Sequence, residues 1–533
     1  MLSKPNKMGT RIWELMLELV AIPSVTGTDV ENTCAEFLYS RLAQLEYFKR
    51  NASDLCFIEA KGDRLNRRSV GALLRAVRPT KKTVILTGHF DVVDAEVCGP
   101  IAPWAFDPLE YTRRIGELAL SDEVRADLDS GNYLFGRGVS DMKMGIALDV
   151  CLLEDYAAQR EELDFNVLVL LVPDEEGDSV GMRGSITYLA ELKEKEGLDF
   201  LACINTEPVF VGTSPAVYYG TIGKIMPLYF CVGRESHVGH YYEGLNSSLI
   251  ASYLNISLEG RKEAIETYGT QTLPPQACLR MRDLRSRYAV TLPERTVLYY
   301  NCLTIEKTPA SVLREMKEKA TLALSAAFAH VERADEIPRV FTVEEVLDKA
   351  AQRVGSKEVL YAEILPAIEA MDERERNIEF LSRALDLSGE KGPFVVVGFV
   401  PPFYPPRRNE NAAPHERAVR RAASDIRASL KNHGFAFEEQ EIFEGITDLS
   451  FTGFQGEANE LGALAANTPL WGHGYGLPLD DLRKIDIPCV VLGPIGKDAH
   501  KLTERVELNY SFNVLPSIIK EFIASLARSG TNE

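Results

Sequence analysis

FNVLVLLVPDEEGDS (165–179) decides how this chain is read. From 165 to 172 it is apolar but for Asn166, and it ends on Pro173 and the acidic turn Asp174-Glu175-Glu176-Gly177. A short apolar run of this kind reads as a strand covered on both faces of a parallel sheet. Ligands of such sheets bind beyond the carboxyl ends of the strands. Three further runs end in the same manner. TVILTG (83–88) leads to His89-Phe90-Asp91, and LACIN (201–205) leads to Thr206-Glu207-Pro208. IPCVVL (487–492) leads through GPIGKDA to His500, and Asp141 stands between GRGVS and MKMGIALDV, where a Gly-rich turn runs into a helix. Five segments therefore bring acidic or imidazole groups to one sheet edge.

With 533 residues the chain exceeds what one hydrophobic core supports. A composition of 45% hydrophobic and 26% charged residues is that of a globular protein. The net charge of −19 argues against nucleic acid or an anionic membrane as partner, because both reward clustered Lys and Arg. No apolar run approaches the ~20 residues that span a bilayer. The first residues read as an amphipathic helix and not as a signal peptide. Nine cysteines without a CxxC pair fit scattered core thiols in a reducing compartment, so the expected location is cytoplasmic.

Helical and strand patterns alternate as far as about residue 211, which implies βαβ units. Residues 97–132 lack buried-strand character and read as a surface excursion beside the site. The character changes near Gly212. Residues 221–233 read as a half-exposed strand, followed by a sheet with helices on one side and a helical stretch at 343–387. The expected fold is α/β: a mainly parallel-sheet catalytic domain covered by helices on both faces. It spans 1–211 and 411–533, interrupted at 212–410 by an α+β lid or dimerisation domain with the extra helical segment.

Two divalent metals ~3.5–4 Å apart need a bridging carboxylate and two capping sets. His89, Glu176, Glu207 and His500 supply caps, and Asp141 supplies the bridge. Imidazole with carboxylate suits zinc, with cobalt or manganese as alternatives. Asp91 can accept the second ring N–H of His89 and fix its tautomer. Only one of the adjacent glutamates is needed for metal; Glu175 is then free to move a proton from water to a leaving amine.

TGHFDVVD, GRGVSDMKMG, PDEEG, INTEP and DAHKLTE, in this order, resemble the di-zinc metallopeptidases that include aminoacylase, peptidase T, acetylornithine deacetylase and succinyl-diaminopimelate desuccinylase. FVPPFYPP, GITDLSF and GPIGKDAHKLTERV are similar to segments of a bacterial arginine-utilisation protein. The resemblance implies two zinc ions on His89, Asp141, Glu176, Glu207 and His500, with Glu175 as general base. It also implies His237 of GRESHVGHYYEGLNSS as oxyanion donor, Asn246 nearby, and a homodimer. Asp448 of GITDLSF resembles a residue of the family's glycine-rich loop, standing behind the ligands. Asp141 follows Asp91 at a longer interval than the family shows, so residues 97–132 are expected to shape the site. No arginine for a substrate carboxylate is evident in TLPERTVLYYNCLTIEKTP.

Taken singly, each motif has a bland reading: a strand end, a solvated acidic turn, a helix cap at Asp141, a surface imidazole at His500. Their order weighs against it. The expected activity is hydrolysis of an amide or peptide bond in a small N-acyl amino acid or short peptide. A non-hydrolytic metal-binding sensor of an arginine-related metabolite and an aminopeptidase on longer peptides are the competing readings.

Overall fold

The computed structural model describes residues 6–209 and 214–529. The expected boundary at 211/212 lies outside the described residues. The chain forms two compact units: Met1–Thr221 with Arg407–Phe454 and Asp480–Glu533, and Ile222–Pro406 with Gln455–Leu479.

The first unit is built on an eight-stranded sheet. In spatial order its strands are Leu55–Glu59, Arg68–Leu74, Asn166–Val172, Lys82–His89, Asp199–Asn205, Cys489–Val491, Ala216–Tyr218 and Glu438–Gln440. The four central strands are parallel. Leu55–Glu59 and Arg68–Leu74 run antiparallel on one flank, and Ala216–Tyr218 meets Cys489–Val491 antiparallel on the other. The fold is α/β as expected, with a mixed sheet that is parallel where it is most buried. Every residue of Asn166–Val172 is buried, which is why that run carries no polar alternation.

Register places the site. His89 lies opposite Val172, and Asn205 lies opposite both Thr87 and Val491. The turns after these strands therefore leave the sheet at nearly the same level. Helices flank the sheet, and Lys143–Ala158 is buried along most of its length. Its Lys143 ammonium donates to the carbonyls of Leu19 (2.9 Å) and Ile22 (2.6 Å), adding a second bond to each at the end of helix Lys7–Val20.

Residues 97–132 are not a bare excursion. They contribute to a helical turn Glu96–Trp104 and form helices Pro108–Ile115 and Asp122–Ser130. Cys98, Ile101, Ala105, Tyr111, Ile115 and Val124 make a small core of their own with Tyr133 and Phe135. The following strand, Tyr133–Phe135, pairs with Arg505–Glu507, which pairs with Gly496–Lys497.

The second unit has a sheet ordered Ala277–Asp283, Arg295–Thr304, Pro227–Val232, Phe394–Phe399, Val340–Thr342. Pro227–Val232 is buried throughout and paired on both sides, so the expectation of a half-exposed strand at 221–233 is corrected. The helices also lie on two sides and not one. Leu228, Phe230 and Val232 pack with helices Val343–Val354, Lys357–Ile364 and Glu373–Ser388. Residues of the opposite parity face the other way, where the Tyr300 hydroxyl donates to Asn255 of helix Ser247–Leu258. The arginines Arg280 and Arg282 belong to the edge strand and pair with Glu375.

Among the described residues no helix is long and apolar enough to cross a membrane. None of the nine cysteines is in a disulfide.

Leu381 is fully enclosed in the second unit's core, whereas Leu322 is 67% exposed. Leu381→Ala is expected to cost about 2–5 kcal/mol in chemical denaturation, and Leu322→Ala less than about 0.5 kcal/mol. Equal effects would show that the enclosed core does not carry that unit's stability.

Candidate metal centre

The turn after Asn166–Val172 is shaped by Asp174, whose φ of 67° is unusual for a residue with a side chain. Its carboxylate accepts from the N–H groups of Asp178 (3.2 Å) and Val180 (3.1 Å) and pairs with Arg67. A Cβ on Gly177 would stand 2.5 Å from Asp174 Oδ1, so any larger residue at the fourth position of DEEG would displace the Asp174 carboxylate. Arg67, buried, also holds Glu31 (3.1 Å) and Asp63 (2.8 Å). Burial lifts Asp174 to about 6 and Glu31 to about 8.

Glu175 and Glu176 are presented by that turn and held from below by Asp91. The Glu175 and Glu176 N–H groups donate to Asp91 Oδ1 (3.1 Å) and Oδ2 (3.2 Å), and the Thr26 hydroxyl adds a third bond at 2.9 Å. His89 Nδ1 donates chiefly to the backbone carbonyl of Asp91, at 3.0 Å, with the carboxylate at 3.5 Å. The tautomer is thus fixed by Asp91, but mainly by its carbonyl oxygen. The His89 Nε2 lone pair is left facing the site.

Asp141 lies at the centre. Its Oδ1 is 3.1 Å from His89 Nε2, and its Oδ2 is 3.1 Å from His500 Nε2. Glu207 Oε1 lies 3.3 Å from His89 Nε2, and Glu176 Oε1 lies 2.7 Å from His500 Nε2. Two acid–imidazole groups share one carboxylate, each meeting its own oxygen. Glu175 stands 3.9 Å from His89 Nε2. His89 with Asp141 and Glu176, and His89 with Glu175 and Glu207, form groups whose donor atoms lie within 4.8 Å of one another.

The electrostatics show that this donor set fits a cation. Burial pushes Glu175 well above the carboxylate range and Glu207 up to about 7, with neighbouring acids adding to the effect. Burial likewise lifts Asp448 to about 7, against the pull of His89. Hydrogen bonds donated to the Asp141 and Glu176 carboxylates raise His500 to about 10. Burial opposes charge on His89, yet Glu207, Asp141 and Asp91 outweigh it and hold its pKa well above the usual value. The acids draw protons onto both imidazoles, and a divalent cation on each set would answer the same demand.

The structure thus brings together His89, Asp91, Asp141, Glu175, Glu176, Glu207 and His500, with Asp448 buried close by. His237 and Asn246 belong to the second unit. His237 is exposed, and its Nδ1 accepts from the Gly239 N–H at 3.1 Å. Asn246 caps helix Ser247–Leu258, its Oδ1 accepting from the Ser248 N–H at 2.8 Å. Sequence reading passed over Arg67, Arg137 and Glu504. Arg137 pairs with Glu504 at 2.5 Å, and Glu504 Oε1 accepts from the N–H groups of Ser140 (3.3 Å) and Asp141 (3.4 Å). The available signal was a lone charge inside the otherwise uncharged YLFGRGVS.

The sequence pattern of peptidase family M20/M25/M40 matches residues 85–460. YqjN, an uncharacterized protein of Bacillus subtilis (strain 168), is 32% identical over 96% of this chain and 96% of its own. Protein RocB of the same organism is 29% identical over 97% of this chain and 95% of its own. Among solved structures, a tripeptidase from Staphylococcus aureus subsp. aureus Mu50 shares the fold at 16% identity. Its TM-score is 0.52, with 99% of this chain and 100% of that one covered.

One buried acid stands apart from the ligand sets. Asp149 accepts a single bond, from the Thr206 hydroxyl at 3.0 Å, and burial raises its pKa well above the ordinary value. A raised carboxylate pKa costs stability as pH climbs from about 4, the unfolded value. Asp149→Asn is therefore expected to raise the unfolding temperature by a few degrees at about pH 7.5. The gain should shrink to nothing near about pH 4, as read by thermal melts across pH. A loss of stability at neutral pH would mean that Asp149 is charged in the fold.

Proposed function

The chain belongs to peptidase family M20/M25/M40 and is a metallohydrolase of amide or peptide bonds; from that premise we propose that it releases an amine from a small N-acyl amino acid or short peptide. The observation that carries the reading is the division of Asp141, one oxygen toward His89 and the other toward His500.

In this reading His89, Asp141 and Glu207 would hold one divalent ion, and Asp141, Glu176 and His500 a second, zinc before cobalt or manganese. Such ions, when bound, lower the pKa of water to ~7 and polarise the scissile carbonyl. Glu175 is the proton carrier. It is not spent on the His500 pair, and its raised pKa suits a group that accepts a proton and passes it to the leaving nitrogen. Asp91 keeps both glutamates and His89 in place through the bonds described above. With Gly239 donating to its Nδ1, the His237 ring has its Nε2–H to offer to the developing oxyanion. Asn246, its oxygen committed to the helix cap, has its amide N–H groups for substrate. Asp448 adds negative charge behind Glu207 and His89. The resemblance to an arginine-utilisation protein makes acyl derivatives of arginine and ornithine the first substrates to test, and a cytoplasmic location is part of the same reading.

A homodimer is part of this proposal. The edge strand Ala277–Asp283 pairs on one side only among the described residues, and Leu279 and Met281 are exposed on it. Light scattering at micromolar concentration should give twice the chain mass; a monomer removes the dimer from the proposal.

Three variants separate the assigned roles when amine release and metal content are measured together. Glu175→Gln should lose nearly all turnover and keep its metal. Asp141→Ala should lose metal from both positions. His237→Ala should lower kcat about a hundred-fold or more, with KM and metal content near wild type. Metal lost from Glu175→Gln would exchange the roles of Glu175 and Glu176, and metal lost from His237→Ala would make that histidine a ligand.

A further inference from the structure

His500 is the most open of the proposed ligands. Its side chain is 49% exposed, against 12% for Asp141 and 8% for Glu176. Its φ of 66° lies in the left-handed region, which a histidine adopts only when its surroundings hold it there. A half-exposed ring on such a loop is not fixed by packing on its own faces.

What grips the loop is a guanidinium reaching it from the Asp141 turn. Arg137 is buried, and three of its nitrogens are committed to three different places. Nη2 donates to the His500 carbonyl at 3.2 Å, Nη1 to Glu504 Oε2 at 2.5 Å, and Nε to the Asp94 carbonyl at 3.1 Å. Glu504 turns its other oxygen to the N–H groups of Ser140 and Asp141. One ion pair therefore touches the backbone of both residues whose side chains meet at the second ligand set. The 97–132 segment braces it from outside. The Tyr111 hydroxyl donates to the Leu502 carbonyl at 2.8 Å, Leu502 packs on that segment's core, and the Arg137 N–H donates to the Ala105 carbonyl at 2.9 Å. Asp127 of the same segment holds Arg505 (2.8 Å) and Lys497 (2.9 Å), on either side of the loop.

Resting on the metal reading above, the geometry points to Arg137 and Glu504 as positioning residues that lock the His500 loop to the Asp141 turn. The 97–132 segment is their brace, and the ion held by Asp141, Glu176 and His500 is the one they secure. His89 ends its strand and Glu207 follows its own within two residues, so the first set meets this lock only through the backbone of the shared Asp141, whereas the second set also hangs His500 on it. The planar fork is required, because a lysine ammonium cannot serve three acceptors in those directions.

Chelated apoprotein is titrated with Co2+ alone, using calorimetry for stoichiometry and affinity and visible absorption for the coordination of each ion, with thermal melts as the folding control. Wild type is expected to take two ions. Arg137→Lys, which keeps the charge opposite Glu504, should bind one as wild type does and the other about 10–100-fold more weakly. Its turnover should return when Co2+ is raised, a rescue that general loosening of the fold would not give. Wild-type affinity for both ions in a folded Arg137→Lys protein overturns the positioning role and leaves the metal reading standing. Equal weakening of both ions also overturns it. Wild type that binds no Co2+ overturns the metal reading itself, and this inference with it. Should Arg137→Lys fail to fold, Tyr111→Phe, which removes one hydroxyl, carries the test. Weakening confined to one ion supports the brace, and unchanged uptake of both refutes it.

Discussion

Carboxylates that share a buried space repel one another, and most of the architecture around this site answers that repulsion. Asp141, Glu175, Glu176, Glu207 and Asp448 crowd the carboxyl edge of the sheet with two imidazoles between them. Taking a charge out of water is costly unless it is paired and hydrogen-bonded. The fold supplies what it can from the protein side. Arg67 neutralises the acids just behind the DEEG turn, Arg137 neutralises Glu504, and Asp91 is itself held by two backbone N–H groups and a hydroxyl. Much of what it leaves uncompensated lies at the centre, among Glu175, Glu207 and Asp448. The second tier of arginines is thus part of the same electrostatic problem as the ligands.

This division also decides which residues can tolerate exposure. His89 ends a strand paired on both sides, and Glu207 follows the end of one of its neighbours. The His500 set hangs on a loop that is stabilised by side chains. From the sheet outward burial falls, from 1% exposure of the His89 side chain to 49% at His500, and the 97–132 segment backs the outer loop with its own small core.

Much of the site was legible because buried parallel strands leave a distinctive mark. NVLVLLV and TVILTG have no polar alternation, and the residues after them carry charge abruptly, so His89, Glu175, Glu176 and Glu207 stood out by position. Leu55–Glu59 and Arg68–Leu74 left no such mark: they are flanking strands with polar residues among apolar ones, and their pairing is set by distant partners. Pro227–Val232 looked half-exposed because small and apolar residues alternate there, yet helices 343–388 pack on Leu228, Phe230 and Val232 and helix Ser247–Leu258 lies on the other face. Arg137 and Glu504 were illegible for a different reason. Their meaning is a contact between residues 367 positions apart, and nothing local distinguishes a buried ion pair from two surface charges. The ring of His473 stacks on Tyr361, a contact between distant residues that the local sequence likewise does not show.

The strand Cys489–Val491 sits between Asp199–Asn205 and Ala216–Tyr218, so a piece from near the carboxyl end fills a slot inside a sheet made mostly from the first 221 residues. A chain emerging from the ribosome amino end first would present that slot open for more than half of its synthesis. During that interval two strand edges lie exposed and the acids of the first segment stand without His500. The exposed edges favour mispairing with other chains. The order of synthesis and the order of assembly are therefore at odds in this protein, and expression yield should respond to chaperone supply and growth temperature more than the finished structure's stability would suggest.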